Sequence, residues 1–301
     1  MNTLRVAKLL AERCRAQLDL LNVIAPSTPI FATPYPIYPV APSTEITARA
    51  DLKRLEDFAF EQSVQPLPYS CTIRVGGAAE KITETARKTG ADLIAIATRG
   101  YTGLRHAFLG STTAEVVRTA PCPVLVVREL KYLPSKERAR RGRTPLQFKK
   151  VLIPLDFSEC SRVGLDYAVG FAREFRSSVL LFHSVVVQTY TLGHAYTALQ
   201  APNLIKLQQQ YAEQEMGKLS RKLARKAMKV ETAIGVGSTV EQVNESVRSR
   251  GVDLIVMSTH GRTGLKRFFI GSTAEQIVRH AICPVLVVPN RCSPKKLRQC
   301  R

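Results

Sequence analysis

The sequence predicts a doubly wound α/β protein built as two tandem copies of one module, each an open, mostly parallel five-stranded sheet, the first copy lacking its N-terminal strand. Three observations lead there: a self-repeat at domain-length spacing, apolar strand-like runs alternating with helical segments, and a glycine-punctuated loop at the same place in both copies.

The repeat is direct. Residues 90–127 (GADLIAIATRGYTGLRHAFLGSTTAEVVRTAPCPVLVV) align without a gap on residues 251–288 (GVDLIVMSTHGRTGLKRFFIGSTAEQIVRHAICPVLVV) at an offset of 161 residues. That spacing is too long for a solenoid and matches a whole domain. It predicts one domain over 1–128, a basic linker over 129–147, a second domain over 148–290 and a basic tail over 291–301.

In chain order, Met1–Gln17 carries apolar residues at Leu4, Val6, Ala7, Leu9, Leu10 and Ala11, which reads as a helix. Leu18–Val23 is the strand that follows. Ile24–Thr44 holds six prolines and reads as an extended surface excursion, a partner-binding segment or a stiff connector. In the second copy Lys149–Asp156 (KKVLIPLD) is a strand ending in Pro154 and Asp156, and Ser158–Phe175 a helix. Residues 178–187 form a second buried strand, Ile205–Lys229 a long helix, Val230–Gly235 a third strand and Thr239–Arg250 a helix. Asp253–Met257 and Pro284–Val288 complete five strands. Such alternation implies right-handed crossovers onto a parallel sheet covered on both faces.

Against this template the first copy has a helix with no strand before it, and no counterpart of Asp156. A central parallel strand is hard to lose, because its neighbours keep buried N–H and C=O groups without partners. Two expectations follow: the true start lies upstream of Met1, or the first domain is a degenerate partner. An in-frame strand ending in Pro-x-Asp upstream of the Met1 codon distinguishes them.

The formal charge is +20. Arg128–Lys150 holds nine basic and two acidic residues, Lys206–Lys229 seven and two, and Pro289–Arg301 five and none. These segments read either as a solvated linker, helix face and tail or as a contact for nucleic acid or an anionic membrane surface. No aromatic-rich nucleic-acid module accompanies them, and Trp is absent. Seven cysteines without a C-x-x-C pair indicate neither a zinc site nor a disulfide framework, so the cytoplasm is the expected compartment. Cys122 and Cys283, before strands at matching positions, read as packing residues. No run approaches the ~20 apolar residues of a membrane helix.

The chemistry centres on the loop after the fourth strand of the second copy, Ser258-Thr-His260-Gly261-Arg-Thr-Gly264, which returns at Gly271-Ser272-Thr273 to open a helix. Gly261 and Gly264 permit positive-φ turns and close ligand approach. Gly271 brings free N–H donors at a helix start toward an anion such as a phosphate. Ser272 to Glu275 also fits a capping box, so the same residues could simply start a helix. Asp156 ends the first strand on the same rim, where ligands bind parallel sheets. No Gly-Lys-Ser/Thr follows, so Walker-type phosphoryl transfer is not implied. His260 flanks the loop. His183 on a buried strand reads as a satisfied core histidine, and His106, His194 and His280 lack convergent partners in the sequence.

At these residues the chain resembles a tandem universal stress protein over all but the missing strand and the linker. The family signature is Gly, two residues, Gly, nine residues, Gly, then Ser or Thr; here Ser258 replaces the first glycine, and Gly261, Gly271 and Ser272 supply the rest. The resemblance implies an adenine-nucleotide alpha-hydrolase-like fold and ATP, with or without Mg, as ligand. It also implies that Asp156 and Ser184, where many members have valine, approach the adenosine end. The degenerate counterpart in the first copy is Val23, Ala97 (for the first glycine), Gly100, Gly110 and Ser111. A stress-response module that binds ATP or a related adenine nucleotide in domain 2 is therefore the leading expectation. The alternatives are a nucleotide-free interaction protein working through its basic surface and a weak ATPase or self-phosphorylating protein. The twofold PVLVV, at Pro123–Val127 and Pro284–Val288, predicts that the two domains pair through their last strands, with a homodimer as a further arrangement.

Overall fold

The structure, a computed structural model, describes residues 3–25, 44–62, 64, 66–98, 109–128, 147–186, 195–259 and 270–290. The described elements of the first half are α1 (Thr3–Cys14), β1 (Leu18–Ile24), α2 (Thr44–Glu61), β2 (Tyr69–Val75), α3 (Ala78–Thr89), β3 (Ile94–Ala97), α4 (Ser111–Thr119) and β4 (Val124–Val127). Those of the second half are β5 (Lys150–Pro154), α5 (Glu159–Phe175), β6 (Ser178–Val185), α6 (Ala195–Ala224), β7 (Val230–Val236), α7 (Thr239–Ser249), β8 (Leu254–Ser258), α8 (Ser272–His280) and β9 (Val285–Val288). Two compact units result, one over Leu4–Ala91 and the other from Asp92 onward.

In the larger unit the strands form one seven-stranded sheet in the order β3-β4-β9-β8-β5-β6-β7. Strands β9, β8, β5, β6 and β7 run parallel to one another, which is the five-stranded sheet expected of the second copy. Its interior strands are apolar throughout because both faces are covered. Val151, Leu152, Ile153, Leu180, Leu181, Leu254, Ile255 and Val256 are all buried. Helix α5 packs on β8 and β5, α6 on β7 and β6, and α7 on β7 and α8. Phe148, just before β5, meets Phe171 and Phe175 of α5 edge-on at 5.3 and 5.4 Å between ring centroids.

One close approach fixes α5 to the sheet. A Cβ on Gly164 would lie 2.9 Å from the backbone nitrogen of Ser258 and 3.2 Å from the carbonyl carbon of Met257. Only a residue without a side chain lets the helix backbone settle this near the end of β8.

Strand β4 pairs antiparallel with β9, Val124 opposite Val287, Leu125 opposite Leu286 and Val126 opposite Val285. The central pair consists of equivalent residues of the two repeats, so the ladder is symmetric about it. This is the pairing that the doubled PVLVV predicts, and all eight residues of the two strands are buried. On the far side of β4 runs β3, parallel, with Ile94 opposite Val124 and Ala97 opposite Val127.

The smaller unit holds a two-stranded parallel sheet, β1 with β2, in register from Leu18 opposite Tyr69 to Ile24 opposite Val75. Helix α1 turns Val6, Leu10 and Ala11 inward, as its spacing predicts. In the second half, β5 lies between β8 and β6. Among the described residues no strand pairs with both β3 and β1, their repeat counterparts; β1 and β2 form a sheet of two, while β3 and β4 belong to the seven-stranded sheet.

Candidate functional site

The strand order of the second half creates a topological switch. From β5 the chain moves outward to β6 and β7, then crosses back to β8 on the other side of β5. Connections leaving the carboxyl ends of β5 and β8 therefore diverge, and the crevice between them is where open parallel sheets take ligands. Three of the predicted residues stand on this rim: Asp156 beyond β5, Ser184 near the end of β6, and Ser258 as the last residue of β8.

Asp156 is half-buried and held locally. The backbone N–H of Ser158 donates to its Oδ1 at 3.0 Å, and the Ser158 hydroxyl donates to the same oxygen at 2.6 Å. Ser158 is also the N-cap of α5, its Oγ accepting from the Ser161 N–H at 3.2 Å. One serine thus starts the helix and orients the carboxylate. Between them Phe157 adopts φ 64°, uncommon for a bulky residue. Its ring stacks on His183 with centroids 4.6 Å apart and meets Tyr211 edge-on at 5.9 Å. His183 Nδ1 lies 2.7 Å from the carbonyl oxygen of Leu155, and in the tautomer that donates there it is a satisfied histidine, as the sequence suggests. Ser184 donates to the Gly237 carbonyl at 3.2 Å.

On the other side of the crevice Ser258 is buried, opposite Val288 in the β8–β9 ladder. Buried Thr259 follows, its N–H donating to Val288 at 3.1 Å; its carbonyl accepts from the Gly271 N–H at 2.8 Å. The loop between them is pinned at both ends. Gly271 is the N-cap of α8, with no side-chain cap hydrogen bond. Ser272 is therefore the first helical residue rather than the cap, and the capping box does not form: Glu275 pairs with Arg279 at 2.7 Å instead. Ser272 and Thr273 are exposed at the N-terminus of α8, where first-turn amides have no intrahelical partner and the helix dipole is positive. Gly271 has φ −59° and ψ 141°, a conformation open to any residue, so its backbone angles do not by themselves require glycine. His260, Gly261 and Gly264 lie outside the described residues.

The first half repeats the pinned loop: Thr98 N–H donates to Val127 at 3.0 Å and Gly110 N–H to Thr98 at 2.9 Å. Gly110 caps α4 as Gly271 caps α8, and Ser111 is its first residue. Ala97 ends β3 in the larger sheet, whereas Val23 lies in β1, opposite Arg74 of the two-stranded sheet. Gly100, His106 and His194 lie outside the described residues. Sequence reasoning missed Ser158, Phe157 and the buried threonines Thr98 and Thr259. A serine three residues before Ser161 at a helix start signals the cap; the threonines act through their backbone, so their side chains give no signal. Cys122 and Cys283 are both buried, as packing residues should be. No cluster of three or more metal-ligating side chains occurs among the described residues, and among them no helix is long and apolar enough to cross a membrane.

Fold and rim together define a doubly wound α/β protein with a crevice at its topological switch point and, beside it, a helix N-terminus whose cap is glycine. The universal stress protein family profile matches residues 1–128 and 147–289, and the chain belongs to that family. It is similar to the universal stress protein MJ0531 of Methanocaldococcus jannaschii, 30% identical over 173 residues, covering 58% of this chain and 98% of that one. Among solved structures, a universal stress protein from Archaeoglobus fulgidus matches with a TM-score of 0.59 and 15% identity, over 95% of this chain and 91% of that one. The protein PA1789 of Pseudomonas aeruginosa, described as functionally unknown, matches with a TM-score of 0.60 and 17% identity over 99% and 89%. At these identities the two structures speak for the fold alone.

Proposed function

We propose that the second half binds an adenine nucleotide, ATP or a close relative, in the crevice between the carboxyl ends of β5 and β8, and that the protein is a ligand-responsive stress regulator. The observation that carries this reading is the placement, on either side of one switch point, of an oriented carboxylate and a helix start capped by glycine rather than by a side chain. The phosphates sit on the first-turn amides of α8, with the Ser272 and Thr273 hydroxyls beside them. Asp156, just beyond β5, and Ser184, on the adjacent strand β6, face the adenosine end. The sequence signature Gly261, Gly271, Ser272 supports the same assignment. Asp156 is a single carboxylate already engaged by Ser158, so any Mg ion is held chiefly by the phosphates and water. This chain's own residues bind and orient; nothing in the described rim supplies the paired base and metal carboxylates that turnover needs.

The test is mass spectrometry of nucleotide released from the purified, denatured protein, followed by calorimetric titration with ATP. One nucleotide per chain is the expected stoichiometry, weakened in Ser272→Pro, which removes a first-turn donor and the hydroxyl at the first helical position, where proline is compatible with a helix start. Absence of adenine nucleotide with no uptake on titration ends the proposal. Two nucleotides per chain would show that the first half binds as well.

A further inference from the structure

Helix α6 runs for 30 residues and packs on β6 and β7, at the opposite end of the seven-strand order from β3 and β4. Its inward stripe is Ala212, Met216 and Leu223, all buried at helical spacing. Three large apolar side chains lie away from that stripe. Leu204, Leu207 and Tyr211 are 57%, 62% and 52% exposed. Sheet packing alone asks for polar residues on the solvent side of a helix, so apolar residues there at a spacing of three and four form a stripe of their own.

Further along the same side of the helix the residues become cationic. Lys218, Arg221 and Lys222 are exposed. So is Arg225, one residue past the end of α6, whose N–H still donates to the Arg221 carbonyl at 3.2 Å. At about 100° per residue, these cations and the three apolar residues fall within roughly 100° of arc, opposite the buried stripe. Glu215 pairs with Lys218 at 2.6 Å, which leaves Arg221, Lys222 and Arg225 to carry the net positive charge of the row. One straight face of about 30 Å thus reads apolar over its first third and cationic over its last.

We infer that this outward face of α6 docks on the surface of an anionic lipid bilayer, with the helix lying in the plane of the membrane. The two ends of the face select that occupant by complementarity. Leu204 and Leu207 enter the boundary between headgroups and acyl chains, Tyr211 sits at that boundary with its hydroxyl toward water, and anionic headgroups draw Arg221, Lys222 and Arg225. Nucleic acid would satisfy the cations but set two leucines against phosphates. A peptide partner is held by a groove or a sheet edge, and a single convex helix face offers neither. Docking by this face does not draw on nucleotide binding in the second half.

The probe is a vesicle of phosphatidylcholine and phosphatidylserine added to the full chain. The linker and tail are basic too, so vesicle binding alone does not report on α6. The chain has no Trp, which makes Leu207→Trp, and separately Leu204→Trp, a single emitter on the face itself. Its emission should shift to the blue on binding and be quenched by lipids brominated in their acyl chains, with no change on vesicles of phosphatidylcholine alone. Replacing Arg221, Lys222 and Arg225 together by Gln should weaken partitioning about fivefold for each charge, roughly a hundredfold in all. Leu204→Gln with Leu207→Gln, both at exposed positions, should weaken it about tenfold or more. The assignment is overturned if the chain does not bind these vesicles, if it binds with both emitters unchanged, or if either set of Gln substitutions leaves partitioning as it was. It is overturned as well if duplex DNA or an acidic peptide moves the emission as far as the vesicles do. An emission already that of a buried Trp in the free chain also overturns it, since the chain would then cover the face itself.

Discussion

Replacing Gly164 with alanine tests how closely the rim is built. The added methyl would sit 2.9 Å from the Ser258 nitrogen and 3.2 Å from the Met257 carbonyl carbon, and both are backbone atoms in a buried strand. No side-chain rotation can relieve such a contact, so α5 must move off β8 or the strand must bend. Overpacking of this kind costs about 1–3 kcal/mol. Glycine at a helix interior itself costs roughly 0.5–1 kcal/mol relative to alanine, which works in the opposite direction and sets the control. At Gly217 in α6 an added Cβ meets only the end of the Arg221 guanidinium, at 3.6 Å. Urea unfolding of the two variants should therefore give opposite signs, Gly217→Ala more stable than the parent and Gly164→Ala less stable. Because the displaced atoms belong to Ser258, Gly164→Ala should also weaken nucleotide binding, while Gly217→Ala leaves it unchanged. If both substitutions stabilise, α5 does not rest on the backbone of β8 as described.

Two further outcomes are expected. Asn244 of α7 donates to the His280 carbonyl at 3.1 Å and accepts from the Ile282 N–H at 3.2 Å, so it clamps the exit of α8; Asn244→Ala should cost about 1–3 kcal/mol by chemical unfolding, through polar groups left without partners, and a near-zero effect would show that water replaces it. Burial first, then the Arg128 and Arg279 charges, hold the His280 imidazole below its ordinary pKa of 6.5. The unfolded chain then binds more protons, so stability present above pH 6.5 is lost as pH falls. His280→Gln should flatten the pH dependence of Tm between pH 7 and 5, and identical slopes in the two proteins would contradict the assignment.

The parallel core was readable because burial on both faces leaves a continuous apolar run, as in residues 151–153 and 254–257. The β4–β9 ladder was readable because both partners carry the same PVLVV. The boundaries of α6 were not. The predicted helix begins at Ile205, whereas α6 begins at Ala195 and passes through Pro202, a residue that in sequence reads as a boundary. At the other end it stops at Ala224, and Ala227 takes φ 56°, a left-handed position where a glycine would have announced the end. On the rim, Asp156 and the helix start at Gly271 were legible as types at a spacing. The grip of Ser158 on Asp156 is local but rests on the backbone turn at Phe157, whose positive φ is unexpected for a bulky residue and whose ring stacks on His183 of a different strand.

The β4–β9 junction has an evolutionary consequence. When two identical chains meet about a two-fold axis, any substitution enters the contact twice, so a residue that disfavours itself is rejected. Here equivalent residues Leu125 and Leu286 meet within one chain, and a change in either half enters only once. The two halves also stay at fixed one-to-one stoichiometry at any protein concentration. Joining them therefore lifts the demand for self-complementarity, and each half is free to specialise while the joint between them persists.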